Sequence, residues 1–86
     1  MEHFLILARS VTYAQRMQRA LDRAGVRSRV YRAPRDLTDL GCAYALRVAP
    51  QDMRDALQVL RRENLNPVQI FAYRHGTYQE AGHDLP

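Results

Sequence analysis

One side chain in this sequence combines strong nucleophilicity with a setting that could use it: Cys42, the only cysteine among 86 residues. It follows Gly41 at the end of a loop-like stretch that begins near Ala33, and it precedes a strand-like run, Ala43 to Val48. A thiol ionises more readily beside cationic side chains or at a helix N-terminus, where free amides and a partial positive charge favour an anion. Arg35 lies in the same stretch as Cys42, and Ser10 and Thr12 stand at the head of the first predicted helix. Gly41 would let the backbone approach closely or take a conformation closed to other residues. A thiolate held this way is nucleophilic near neutral pH. A lone cysteine serves equally as a small buried hydrophobe, so the residues by themselves leave both readings of Cys42 open.

The remaining chemistry-bearing residues do not form a second constellation. His3, His75 and His83 have no metal-site spacing and read as surface residues, and His3 and His75 flank the first and last predicted strands at the end of the sheet away from Cys42. That placement gives no Cys-His nucleophile pair within one chain. There is no phosphate-cradling glycine loop and no Ser-His-Asp order. No metal and no cofactor are expected.

The elements that must position Cys42 can be read from periodicity. Phe4 to Ala8 is a continuous apolar run suited to a central strand. Thr12 followed by Gln15 fits a capping box, and Ala14, Met17, Leu21 and Ala24 then fall on one helical face, with Gly25 where a helix needs a left-handed terminator. Val26, Ser28 and Val30 alternate with Arg27, Arg29 and Tyr31 as a strand closed by Pro34. Tyr44, Leu46 and Val48 alternate with Ala43, Ala45 and Arg47 as a third strand. Pro50 suits the first turn of a second helix, Asp52 its positive end, and Met53, Ala56, Leu57 and Leu60 its apolar face. Val68 to Tyr73 completes the set.

The order β-α-β-β-α-β predicts an α+β, ferredoxin-like domain: a four-stranded antiparallel sheet with two helices on one face. One domain over residues 1–73 is expected, with residues 74–86 a polar, flexible tail. In such a topology the first and second strands run the same way. The end of strand one, the start of helix one and the loop between strands two and three therefore meet, bringing Cys42 near Ser10, Val11 and Thr12.

Composition bounds the rest. A 47% hydrophobic, 26% charged chain is an ordinary globular domain. The net charge of +4 comes from thirteen arginines and no lysine, and residues 1–49 hold nine of them against four acids. No run of like charges occurs, so basicity does not by itself assign a nucleic-acid partner. One cysteine excludes an internal disulfide, and Met1 to Arg9 has an acid where a signal peptide needs a base and an apolar run too short to span a membrane. A cytoplasmic protein with a reduced thiol is expected.

Tyr31, Phe71 and Tyr73, with Phe4 or Ile6, are expected on the sheet face away from the helices. Arg27, Arg29 and Arg47 would add charge there, but the first and third strands lack the aromatic signature of single-stranded RNA binders. Self-association through an apolar sheet face, giving a homodimer, is the expectation for that surface.

The same residues carry a resemblance. Arg9-Ser10-Val11-Thr12, the helix end Leu21 to Val26, the pair Pro34-Arg35, Cys42 and the strand Leu46-Arg47-Val48 resemble, in order and spacing over roughly residues 3 to 73, the selenium/sulfur carrier protein-like family of small bacterial domains. Members often have a glycine directly after the cysteine, whereas here Gly41 precedes Cys42 and Ala43 follows it. The resemblance implies a carrier that holds sulfur or selenium on Cys42 as a persulfide or perselenide and passes it between donor and acceptor proteins, a cysteine desulfurase being one such donor. Ser10, Thr12, Arg35 and Gly41 would surround the anionic atom. A carrier needs no internal general base, because its partners supply the chemistry. The other reading of the residues is a noncatalytic ferredoxin-like dimer that binds a partner or small ligand and uses Cys42 only for packing.

Overall fold

The computed structural model describes residues 2–34, 37 and 44–81. In chain order the elements are β1 (His3–Ala8), α1 (Val11–Arg23), β2 (Arg29–Arg32), β3 (Tyr44–Val48), a 3₁₀ turn (Pro50–Asp52) leading into α2 (Met53–Arg62), β4 (Gln69–Arg74) and β5 (Thr77–Glu80). All strand pairs are antiparallel, in the order β2-β3-β1-β4-β5. The α+β expectation holds, and the first four strands take an order compatible with the expected arrangement. The sheet has five strands rather than four.

The extra strand comes from the segment that reads as a polar tail. His75 and Gly76 both adopt positive φ, 54° and 79°, and join β4 to β5 as a two-residue hairpin loop. Two left-handed residues in succession give the type I′ geometry whose twist matches the flanking strands. Tyr73 pairs with Tyr78 across the hairpin, and the Ala81 N–H donates to the Ile70 carbonyl at 3.0 Å. Ala81 is itself buried in the main core. The fold thus continues past residue 73 through at least residue 81. Residues 82–86 lie outside the described residues.

Alternation along β1 explains the two cores. Phe4, Ile6 and Ala8 point to the helices, where they pack with Leu46, Val48, Ala14, Met17, Leu21, Met53, Ala56 and Leu60. Leu5 and Leu7 point the other way and pack with Ala45, Phe71, Ala33 and Leu37. Leu7 and Ala45 have no exposed surface at all, although they lie on the face opposite the helices. Ala33 and Leu37, from the connection between β2 and β3, close over them. The expectation that Phe4 or Ile6 lies on that face is therefore reversed, and its apolar side chains are covered within the chain. The bare apolar face on which self-association was expected is absent among the described residues.

Both helices end alike. In α1 the N–H groups of Gly25 and Val26 donate to the carbonyls of Asp22 and Leu21, and in α2 those of Asn64 and Leu65 donate to Arg61 and Leu60. Gly25 (φ 79°) and Asn64 (φ 58°) supply the left-handed residue of this Schellman closure, and the buried pairs Leu21–Val26 and Leu60–Leu65 seal it.

Candidate functional site

Cys42, Gly41 and Arg35 lie outside the described residues, as do Asp36, residues 38–40 and Ala43. What can be built is the frame that receives them. Tyr44 stands opposite Ala8 on one side and Arg32 on the other. The ends of β1 and β2 and the start of β3 therefore coincide at one end of the sheet, as the topology requires.

Ser10 follows β1 directly and caps α1. Its backbone is extended (φ −158°, ψ 165°), its Oγ accepts from the Tyr13 N–H at 3.1 Å, and its carbonyl accepts from the Ala14 N–H at 3.0 Å. This corrects the capping-box expectation: the helix begins one residue before Thr12, and Ser10 is its cap. Thr12 is exposed in the first turn. The amides of Val11 and Thr12 have no acceptor within the helix. Ser10 and Thr12 thus share one helix head, beside the strand end from which the segment containing Cys42 departs.

Two cations and a phenol shape this end, and of the three only Arg9 belongs to a motif read from the sequence. The Arg9 guanidinium lies 4.2 Å from the centre of the Tyr13 ring, with Arg16 on the same ring at 5.7 Å. The Tyr13 hydroxyl accepts a 2.7 Å hydrogen bond from the Asn66 N–H, tying the head of α1 to the entry of β4. Hydrogen bonding from Arg9 and Asn66, with the charges of Arg9 and Arg16, lowers the Tyr13 pKa against the opposing effect of burial. Arg32 ends β2 and reaches the Tyr44 ring at 5.9 Å. Tyr13 lies four residues before Met17 and belongs to the buried face of α1 together with Ala20. Extending the helical spacing backwards finds it.

The opposite end of the sheet differs from expectation in one respect. His3, read as a surface residue, is 9% exposed. Its ring stacks on Tyr73 at 4.8 Å, and its Nε2 lies 3.4 Å from the Tyr78 hydroxyl. Tyr73 lies in a predicted strand, but Tyr78 belongs to β5, which the sequence pattern does not reveal, so only part of the cover over His3 follows from the predicted elements. Burial raises the Tyr78 pKa. Of the aromatic residues expected on the sheet face away from the helices, Phe71 is buried, Tyr73 is half-buried and Tyr31 is exposed. Among the described residues no group of His, Cys, Asp or Glu could hold a metal ion, and no helix is long and apolar enough to cross a membrane.

In comparison with protein families, the family described as "Putative Se/S carrier protein-like" matches residues 3–72, a span from the first residue of β1 into β4 that includes Cys42. Comparisons with curated proteins and with solved structures each found no match.

Proposed function

Because this chain belongs to the Se/S carrier protein-like family, we propose that it is a sulfur or selenium carrier whose acceptor atom is the Cys42 sulfur. The family match over residues 3–72 carries this reading. Support comes from the frame on an α+β scaffold: the Ser10-capped head of α1 and the start of β3, two residues after Cys42, belong to one end of the sheet.

The Cys42 thiolate attacks the outer sulfur of a donor persulfide, such as that of a cysteine desulfurase. The donor S–S bond breaks, the donor departs as a thiolate, and the new bond leaves Cys42 as a persulfide anion. No external oxidant or reductant is consumed, because the outer sulfur keeps its oxidation state. Attack by an acceptor nucleophile then releases the Cys42 thiolate, and a perselenide follows the same course with selenium as the outer atom. The Val11 and Thr12 amides, with Arg35 and the Ser10 hydroxyl, favour the anionic sulfur before and after loading. Gly41, having no side chain, leaves room beside that sulfur for two different partners to approach.

The test is the rate of Cys42 alkylation by iodoacetamide against pH, folded and unfolded, read by intact mass. The expected folded profile has a midpoint well below the unperturbed value of about 8.5. Incubation with a cysteine desulfurase and cysteine should then add the mass of one sulfur atom, and Cys42→Ser should abolish that gain. A thiol protected until the chain unfolds, with no sulfur gain, would make Cys42 a packing residue and end the carrier reading.

A further inference from the structure

Arg29 and Arg47 stand directly opposite each other across the β2–β3 pair, on the face that carries Leu5 and Phe71. Like charges in this position repel, with Cβ atoms about 5 Å apart. Neither forms an ion pair among the described residues. The Tyr31 hydroxyl, on the same strand and face as Arg29, accepts from the Arg29 guanidinium at 3.4 Å. A cleft of about 700 Å³ opens beside these three side chains and extends to Arg27 and Ser28. The Ser28 Oγ is buried and has no hydrogen-bond partner among the described residues. Glu2, Asp22 and Asp52 also line the cleft, yet among the described residues none forms an ion pair with its arginines.

We propose that this cleft binds a phosphate dianion, free or as a monoester, held between the Arg29 and Arg47 guanidiniums with the Tyr31 hydroxyl beside it. Two planar donor forks from neighbouring strands offer more N–H groups and charge than a single carboxylate uses, and they suit a tetrahedral dianion. A bound dianion also removes the repulsion that otherwise opposes pairing of β2 with β3. The volume falls within the usual range of small-molecule sites, about 300–1,000 Å³. An RNA strand is the weaker fit. Its phosphodiesters carry one charge each, and Phe71, an aromatic ring on this face, is buried. The site lies at the end of β3 away from Tyr44 and stands independently of the carrier reading.

Titration of the protein with inorganic phosphate, and separately with glycerol phosphate, at constant ionic strength and monitored through arginine Nε–H resonances, tests the site. Arg29 and Arg47 should shift and saturate while arginines outside the cleft stay still. Arg47→Gln should weaken binding about tenfold or more, and Arg47→Lys less. Thermal melts supply a second readout. Phosphate should raise the melting temperature of the wild type and leave that of Arg47→Gln unmoved, while in chloride alone the variant should melt no lower than the wild type. Saturation by either phosphate compound supports the site, and tighter binding of the ester identifies it as the occupant. Unsaturating shifts spread over all arginines would overturn the site. So would a phosphate response preserved in Arg47→Gln, or steeply salt-dependent binding of oligouridylate with no saturation by phosphate.

Discussion

Tyr13 sets a residue-scale expectation that is independent of the thiol. Its phenolate form is favoured in the fold by the hydrogen bond from Arg9 and the N–H of Asn66, and further by the charges of Arg9 and Arg16. It should therefore lose its proton below the usual tyrosine value of about 10. Between the folded and unfolded values the unfolded chain holds more protons than the folded one. Stability from this group accordingly rises as pH climbs through the folded pKa, and it is lost as pH falls back below it. Subtracting the phenolate absorbance titration of Tyr13→Phe from that of the wild type should give a midpoint under 10. A midpoint at or above 10 would mean that Arg9 and Asn66 do not hold the phenolate. At this scale the sequence was informative where local chemistry decides. Ser10 was named as a site residue from its place before a helix, and Gly25 as a terminator from its place after one. Tyr13 and His3 were missed because their roles come from partners 53 and 75 residues away, Asn66 and Tyr78.

At the scale of elements, the matched helix ends allow a direct comparison. A β-branched side chain at φ 79° is strained, so Gly25→Val should destabilise the domain by about 1–2 kcal/mol, even though the space around a Cβ there is open. Asn64 already bears the left-handed conformation at the end of α2, and Asn64→Gly should leave stability unchanged or slightly raised. Urea unfolding midpoints of the two variants measure this contrast, and equal losses would contradict the shared closure. Helix α1, β1 and β3 were legible because their apolar periods are unbroken. The second helix was legible too, with Val59 replacing Leu57 on its fully buried face. β5 was not. Thr77 to Glu80 carries one large apolar side chain, Tyr78, and its stability as a strand comes from pairing with β4 and from the His75-Gly76 turn. His75 in a left-handed position is not a residue that signals a hairpin in the way Asn-Gly does.

For the molecule as a whole, the sheet is a middle layer with packed side chains on both faces. Leu7 and Ile6 are both fully buried, one toward each face. Leu7→Ala and Ile6→Ala should each cost about 2–5 kcal/mol. A loss for Leu7→Ala of only a few tenths, measured by urea unfolding, would mean that the face opposite the helices is open in solution. From sequence alone the helices are the only evident cover, because the segment that begins at Ala33 looks like polar loop. Its Ala33 and Leu37 are too far apart for a period to reveal them, and their role depends on where the connection crosses the sheet.

The hairpin that adds β5 also decides where the two ends of the described chain point. β5 runs antiparallel to β4 and so in the same direction as β1; its last pairing neighbour, Ala81, is level with Ile70 and Ile6 and heads toward the Ala8 end. Glu2 leads into β1 at the other end. The backbone reaching Ala81 is thus directed toward the helix head and the strand end from which the Cys42 segment departs. A tag or fluorescent reporter joined ahead of Glu2 points away from both, and that is the attachment point to use in the alkylation and sulfur-transfer tests of Cys42.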